Sequence, residues 1–393
     1  MIKKLFFIIL ATVLAGSCLY YFWPSPPPLS PLPDGPVLAA AAPSSPKQVI
    51  GFLPFWTLNF SRYFDYSSLT QLAYFALKVD SQGNIVKKEG RGEAEPGWYR
   101  LHSEDFSFVR RQAKQHRVKL LVVIKAEDNQ TMTTLIENPA AQANLADQLV
   151  NLLEEKQLDG VNLDFEFANR PPLPSGDRFT LFVQNLSQQL NSANPDYLFS
   201  IDLFADTIRK RRLYQVEKLA PLVDQLIVMG YDFHLPSSSF AGPIAPLVDT
   251  QNRYSYTVTA ALADFIKLTP RSKLILGVPY YGYQWQTRTD QPHSAVIPKT
   301  GKKITFAEAS RALDQGRFSL QWDPHSQTPY AIWQEDGVFK QAYFETARSL
   351  GLKYDLVNQL DIAGIAIWAL GFDEDRPDLW QLLKQKFPSL AKL

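Results

Sequence analysis

A chain of 393 residues, 46% of them hydrophobic, is long enough for one large domain or two modest ones and can bury a sizeable core. Its formal net charge of +1 comes with neither a basic stripe nor an acidic tail, so neither nucleic acid as a partner nor charge-driven disorder is indicated. The single cysteine, Cys18, precedes the predicted globular part, which excludes a scaffold held together by disulfides.

The first 23 residues predict a membrane anchor. Lys3 and Lys4 precede an uncharged run, residues 5–23, that is about as long as a bilayer-spanning helix, and the lysines place the amino end in the cytoplasm. Because apolar residues continue past residues 15–18, we favour an uncleaved signal anchor over two alternatives. These are a bacterial lipoprotein, whose cleavage box residues 15–18 loosely resemble, and a secreted protein.

Residues 24–47 are rich in proline, alanine and serine, which predicts an extended linker. The globular domain is therefore expected over residues 48–393, outside the cytoplasmic membrane, at the cell surface or in the periplasm.

The hydrophobic pattern of this domain predicts strands that alternate with helices. The predicted strands are residues 49–56, 69–77, 119–125, 158–167, 197–203, 226–229, 273–279 and 362–369. The predicted helices include residues 108–116, 139–155, 177–190 and 254–268. Such alternation implies parallel pairing through right-handed crossovers, and eight strands predict an α/β fold, the closed (β/α)8 TIM barrel.

Residues 286 to about 338 interrupt the alternation. They contain a helix start at Thr305 and a hairpin-like stretch over residues 321–338. We expect a small α+β insertion between the seventh strand and its helix, forming one wall of a cleft at the carboxyl face of the barrel.

The fourth predicted strand has an unusual pattern. Asn162, Asp164 and Glu166 alternate with apolar residues, so one face of the strand is apolar and the other carries an amide and two carboxyls. Burying carboxylates is costly unless they are paired or used. Since the carboxyl ends of barrel strands line the active face, the pattern indicates a catalytic site there.

Other unusual residues also fall at or just after the ends of predicted strands. They include Phe75, Met229, Tyr231, Asp232, Tyr281 and Trp368. Taken singly, each is best explained as a packed aromatic or a satisfied polar residue. Their coincidence at one face favours a ligand site, and the aromatic content of 13% suits one that stacks sugar rings.

Residues 159–166, Asp-Gly-Val-Asn-Leu-Asp-Phe-Glu, resemble the Asp-Gly-x-Asp-x-Asp-x-Glu signature of glycoside hydrolase family 18, the chitinase family. Residues 51–56, 229–232, 276–282 and 364–371 resemble further family segments in the expected order. Residues 322–330 and 347–354 look like the spore-type, peptidoglycan-acting branch. The similarity extends from about residue 48 to the end of the chain.

The resemblance implies retaining hydrolysis in which the substrate's own 2-acetamido oxygen attacks the anomeric carbon. It assigns Glu166 as the acid that protonates the leaving oxygen, Asp164 as the carboxylate that orients the acetamido N–H, and Tyr231 as the residue that holds the acetamido oxygen. The implied substrate-binding residues are Asn162, Asp232, Trp368, Tyr281, Met229 and Phe75. The expected partner is a polysaccharide containing N-acetylglucosamine, bound by a monomer without metal or cofactor.

Two departures from the family pattern affect these expectations. Asn162 stands where the signature often has Asp, and we expect its amide to bond with Asp164 and to narrow the pH range of activity. Residues 124–127, Ile-Lys-Ala-Glu, replace the Ser-x-Gly-Gly of many chitinases, which weakens the case for chitin as the substrate. The role of Asp159, structural or catalytic, stays open.

Three functions are compatible with the sequence. The first is hydrolysis of β-1,4-linked N-acetylglucosamine polymers, and the presence of Glu166 favours it. The second is a non-catalytic, lectin-like binding protein of the cell wall. The third is a metal-dependent hydrolase using Asp159, Asp164 and Glu166, which the five histidines do not support because they lack ligand spacing.

Overall fold

The computed structural model describes residues 46–126, 128–167, 174–210 and 212–388. Its strands, in chain order, are β1 Gln48–Pro54, β2 Gln71–Lys78, β3 Lys88–Glu89, β4 Glu93–Ala94, β5 Lys119–Lys125, β6 Gly160–Asp164, β7 Leu198–Phe204, β8 Gln225–Met229, β9 Leu274–Pro279, β10 Tyr281–Thr287, β11 Lys302–Thr305, β12 Gln321–Asp323, β13 Thr328–Glu335, β14 Val338–Tyr343 and β15 Gly364–Trp368. The α-helices are Pro96–Leu101, Glu104–Gln115, Asn129–Glu137, Pro139–Lys156, Ser175–Ala193, Val216–Leu219, Val258–Ile266, Phe306–Asp314, Ala347–Leu360 and Asp378–Lys386.

Eight parallel strands close into a barrel in the order β1-β15-β9-β8-β7-β6-β5-β2, which confirms the predicted (β/α)8 fold. Helices cover the barrel with their apolar faces. The Pro139–Lys156 helix, for example, buries Leu145, Leu149 and Leu153 completely. It begins where the Asn138 side chain accepts hydrogen bonds from two backbone N–H groups, and it ends at a left-handed residue, Gln157.

The strand β6 is shorter than the predicted residues 158–167 and ends at Asp164. Beyond it, the backbone bonds to a side chain: the Tyr214 hydroxyl donates to the Phe165 carbonyl and accepts from the Phe167 N–H at 3.1 Å. Glu166 therefore lies in the loop after the strand. At the other end of β6, a Cβ on Gly160 would lie 2.1 Å from the Leu198 carbonyl oxygen, so only glycine allows β7 to approach this closely.

The region predicted as an insertion is a five-stranded antiparallel sheet with the order β11-β10-β14-β13-β12. It runs from Tyr281 to Tyr343, which is wider than the predicted residues 286–338, because β10 begins directly after β9. Its helix starts as predicted at Thr305, whose hydroxyl and the Glu308 carboxylate form a capping box.

The predicted anchor, residues 1–23, and all but the last two residues of the predicted linker lie outside the described residues. Among the residues that are described, no helix is both long and apolar enough to cross a membrane.

Candidate active site

The polar face of β6 opens at the carboxyl end of the barrel. Asn162 and Asp164 are buried, with Asp164 only 3% exposed, whereas Glu166 reaches the surface. The backbone around Glu166 is fixed by the bonds to Tyr214 and by Phe165, whose ring stacks on that of Phe182 with 5.9 Å between centroids. The loop thus holds Glu166 at the mouth of the barrel, two residues above Asp164.

Both carboxyls are biased towards their protonated forms. Burial raises the pKa of Asp164 well above its usual value, and the neighbouring Glu166 and Asp202 raise it further. Although Glu166 reaches solvent, protein atoms crowd its carboxyl, and this desolvation raises its pKa, with an additional contribution from Asp232. A carboxyl that keeps its proton at higher pH suits the donation of a proton to a leaving oxygen.

One cation, Lys125, opposes this bias. It ends β5 directly opposite Asp164 in the strand register, and its half-buried ammonium lies 5.5 Å from the centroid of the Phe75 ring. Its charge lowers the pKa of both Asp164 and Glu166. The sequence indicated only that residues 124–127 depart from the chitinase pattern, and not that Lys125 faces the acids.

Tyr231 lies just beyond β8 and faces the acidic cluster. Burial, together with Asp202, Asp164, Glu166 and Asp232, raises the pKa of its phenol far above the usual value. The hydroxyl therefore remains protonated over the whole working pH range. It is a permanent hydrogen-bond donor, as its predicted role requires.

Asp232 follows with a left-handed backbone, at φ of 62°. Its Oδ1 accepts hydrogen bonds from the Tyr281 hydroxyl at 2.6 Å and from the Tyr283 hydroxyl at 2.9 Å. Tyr281, predicted to bind substrate, is buried. The hydrogen bond from its hydroxyl orients Asp232. Met229, another predicted binding residue, is also buried and ends β8 beside Gly277.

Aromatic rings from the first, second and last barrel strands form a continuous surface. Trp368, at the end of β15, is half-buried and packs edge-on against Phe75, with 4.5 Å between centroids, and against Phe52 at 6.0 Å. Trp56, which is 49% exposed, extends the surface outward from Phe75 at 6.0 Å. Trp368 and Phe75, both predicted to bind substrate, are therefore in contact with each other.

The expected bond between Asn162 and Asp164 is not formed. The Asn162 Nδ2 instead donates to Ser200 Oγ and to Asp202 Oδ1, each at 3.0 Å. The reason is the register, which places Ser200 of β7 directly opposite Asn162. Asp202 was not among the predicted site residues, although the alternation of Ser200 and Asp202 with apolar residues repeats the signal that singled out β6.

Asp159 lies at the opposite end of the barrel from the acidic cluster. Its Oδ2 accepts from the Leu120 backbone N–H at 2.8 Å, and its Oδ1 from Lys119 Nζ at 3.0 Å. These bonds tie the start of β6 to β5, so the structure decides the open question about Asp159 in favour of a structural role. Among the described residues, no group of three or more histidine, cysteine or acidic side chains is arranged to hold a metal.

Residues 48–373 match the family model described as Glycosyl hydrolases family 18. The chain belongs to this family. The match covers the barrel and its insertion, and includes every residue predicted for the site. Membership confirms the predicted kind of enzyme, a glycoside hydrolase.

The similar proteins include one named for sporulation, one named for the spore cortex and one chitinase. The putative sporulation-specific glycosylase YdhD of Bacillus subtilis is 26% identical over 66% of this chain, and the alignment spans only 57% of that protein's length. The Bacillus megaterium spore cortex-lytic enzyme SleL superposes with a TM-score of 0.68 at 20% identity, covering 91% of this chain and 76% of that one. The Ostrinia furnacalis Group IV chitinase, solved with allosamidin, superposes with a TM-score of 0.76 at 20% identity. The superposition covers 88% of this chain and 99% of that one. At such identities the two structures support the fold alone.

Proposed function

We propose that the protein hydrolyses β-1,4 glycosidic bonds at N-acetylglucosamine residues, with retention and with assistance from the substrate's acetamido group. The observation that carries the proposal is the arrangement at the end of β6. A surface-reaching acid with a raised pKa, Glu166, stands two residues above a buried acid, Asp164, and the protonated Tyr231 hydroxyl faces both.

Three side chains take part in this reaction, and Glu166 acts in both of its steps. Glu166 gives its proton to the glycosidic oxygen as the bond from that oxygen to the anomeric carbon breaks. The acetamido oxygen, held by the Tyr231 O–H, forms the new bond to the anomeric carbon and closes an oxazolinium ring. Asp164 accepts the acetamido N–H as positive charge develops there. Glu166, now ionised, takes a proton from the water that reopens the ring on the same face.

Asp164 has an atom free for this task. Its Oδ1 is buried and has no hydrogen-bond partner among the described residues. A buried acceptor that lacks a donor is costly, and a substrate N–H would satisfy it. The site is therefore prepared for an acetamido group and gains a buried hydrogen bond when one arrives.

Two lysines at the mouth of the site can pair with the carboxylates of an acidic glycan, which neutral chitin lacks. Lys125 stands beside the two acids, and the exposed Lys303 lies 4.9 Å from the Tyr281 ring and acts on Asp232. Peptidoglycan carries carboxylates on its peptide side chains, whereas chitin carries none. We therefore propose peptidoglycan as the substrate, a choice also supported by the sporulation and spore-cortex names of the relatives.

Turnover of a chromogenic N-acetylglucosamine oligomer tests the reaction. We expect the wild type to be active with and without a chelator, and Glu166→Gln to lower kcat/KM by about 10³-fold, the usual contribution of a general acid. The surface variant Glu155→Gln serves as the matched control. If Glu166→Gln kept the wild-type rate, the proposed role of Glu166 would be wrong. If the wild type bound the oligomer without cleaving it, the lectin-like alternative would hold.

Digestion of purified peptidoglycan beside chitin tests the substrate. We expect faster release from peptidoglycan and, by mass analysis, fragments with N-acetylglucosamine at the reducing end. Faster digestion of chitin would contradict the inference drawn from the two lysines.

We also propose that the enzyme works as a monomer outside the cytoplasmic membrane, held by residues 1–23. The support is the sequence alone, with lysines before a long uncharged run. Alkaline carbonate extraction of cell membranes tests the anchor: the protein should stay in the membrane pellet, and its release into the supernatant would contradict anchoring.

A further inference from the structure

A third acid, Asp202, lies beside the two that the reaction uses. It belongs to β7, where Ser200 and Asp202 alternate with apolar residues just as Asn162 and Asp164 do in β6. Since Ser200 pairs with Asn162 in the register, Asp202 lies on the same inner face, one strand away. Asp202 is 5% exposed, so it is a buried carboxyl within the barrel.

The hydrogen bonds of Asn162 join this acid to the site. Both hydrogens of the Asn162 amide go to β7, one to Ser200 Oγ and one to Asp202 Oδ1. The amide oxygen, Asn162 Oδ1, is left buried and unpartnered within the part of the chain that the structure describes, as is Asp164 Oδ1. Two unpartnered acceptors next to a buried acid indicate that a proton is held within the group.

The charges around Asp202 also favour a proton there. Burial is the largest influence, opposed by the hydrogen bond from Asn162 and reinforced by the negative charge of Glu166, and together they raise the pKa of Asp202 to about 8. Asp202 in turn raises the pKa of Asp164 and of Tyr231. The groups that interact with Asp202 come from three places: Asp164 ends β6, Glu166 lies in the loop after β6, and Tyr231 lies just beyond β8.

The cation of the site acts elsewhere in the group. Lys125, on β5, lowers the pKa of Asp164 and of Glu166. Asp202 lies on the far side of β6 from β5, in keeping with the barrel order. Lys125 therefore lowers the pKa of two of the three acids, and Asp202 is the acid farthest from it in the strand order.

We propose that Asp202 is a positioning residue of the hydrolytic site, which orients the Asn162 amide and holds a proton on behalf of Asp164 and Glu166. In this chain the carboxyl that lies beside Asp164 belongs to Asp202 of β7. The position on β6 where the family signature often has Asp is Asn162, and its amide binds Asp202. The inference rests on the proposed function, since it concerns the ionisation of the same two acids.

The proposal has a measurable consequence because interacting acids titrate as a group. Removing one of three such acids lowers the highest apparent pKa of those that remain, since one source of repulsion is gone. Asp202 raises the pKa of Asp164, so the limb of the kcat/KM profile that reports loss of the proton from Asp164, here called the Asp164 limb, is the one that responds to Asp202. In Asp202→Asn, the Asp164 limb should move to lower pH.

Three variants and the wild type test this on a chromogenic N-acetylglucosamine oligomer across pH. Asp202→Asn should shift the Asp164 limb to lower pH while changing KM by less than about twofold, because the buried side chain does not touch the sugar. The exchange variant Asn162→Asp/Asp202→Asn returns a carboxyl to the pair and should shift the limb back. Ser200→Ala removes the other acceptor of the same amide without changing charge and should leave the limb in place.

Two results would overturn the proposal. One is an Asp164 limb in folded Asp202→Asn that coincides with the wild-type limb. The other is an equal shift in Ser200→Ala, which would show that the orientation of the amide matters and the charge does not.

A titration that needs no turnover separates this proposal from the proposed function. ¹³C NMR of carboxyl-labelled, substrate-free protein should show one carboxyl titrating near pH 8 that disappears in Asp202→Asn. If that resonance is present but no acetamido glycan is cleaved, the proposed function fails and the placement of the proton stands. If the enzyme is active and all carboxyls titrate at ordinary pH, the assignment of a proton to Asp202 fails.

Discussion

Two of the regions in which the protein buries carboxyl groups treat them in opposite ways. Behind the insertion sheet, Glu345 is 1% exposed and receives two hydrogen bonds from the buried ammonium of Lys353, at 2.8 and 3.0 Å. In the barrel, Asp164 and Asp202 are buried with no lysine or arginine hydrogen-bonded to either among the described residues. Burial raises the pKa of all three acids.

The difference separates a structural acid from a reactive one. Glu345 has a full cationic partner, so its charge is compensated and its geometry fixed. In the barrel, one lysine acts on Asp164 from a distance and an oxygen of Asp164 is unsatisfied, which makes the protonation of this acid responsive to a ligand. Removing one member of the first pair should therefore affect stability, and changing the second group should affect catalysis.

The largest effect is expected from Asp164→Asn. The substitution keeps the shape but removes the carboxylate that meets the acetamido N–H, so kcat/KM should fall by about 10³-fold, the upper range for loss of one electrostatic contact. The free energy of unfolding should not decrease, because a buried acid without a cation is removed. Denaturant unfolding measures the stability and steady-state kinetics measures the rate. A large loss of stability with an unchanged rate would show that Asp164 is a structural acid and not a reactive one.

Lys353→Met should have the opposite pattern. Leaving Glu345 buried without its partner is expected to cost about 3–5 kcal/mol of unfolding free energy. The rate per folded molecule should stay at the wild-type value, since the pair does not face the barrel acids. The double variant Lys353→Met/Glu345→Leu should recover stability, and a double variant as unstable as Lys353→Met would contradict this explanation.

A smaller effect is expected from Lys125→Met. Glu345 keeps its lysine partner, whereas this substitution removes the one lysine that acts on Asp164 and Glu166. Lys125 lowers the pKa of Asp164 and Glu166, so its loss raises both. Deprotonation of each acid then requires higher pH, and both limbs of the kcat/KM profile should move in the alkaline direction. Lys119→Met, at the other end of β5, is the matched control and should leave the profile unchanged; an acidic shift in Lys125→Met would be contrary to this assignment.

Much of this organisation could be predicted from the sequence because it depends on local patterns. The eight barrel strands follow from runs of apolar residues, and β5 was predicted with its observed bounds. The acids of β6 stood out because polar and apolar residues alternate there. The helix start at Thr305 was visible because a capping box involves residues three apart.

What the sequence did not reveal depends on neighbours across the barrel. The partner of Asn162 is set by the register of β6 against β7, which no local pattern encodes. The end of β6 at Asp164 depends on the hydroxyl of Tyr214, a residue 49 positions beyond the Phe165 carbonyl that it binds. The closeness of Lys125 to Asp164 likewise follows from strand pairing.

The central claim is that the substrate's acetamido group is the nucleophile while Glu166 supplies the proton. Time-resolved ¹H NMR of two matched oligomers, one N-acetylated and one with the acetyl group removed at the scissile sugar, tests it most directly. We predict that only the acetylated oligomer is cleaved and that its new reducing end appears first as the β-anomer. Initial release of the α-anomer, or comparable cleavage of the deacetylated oligomer, would contradict the claim.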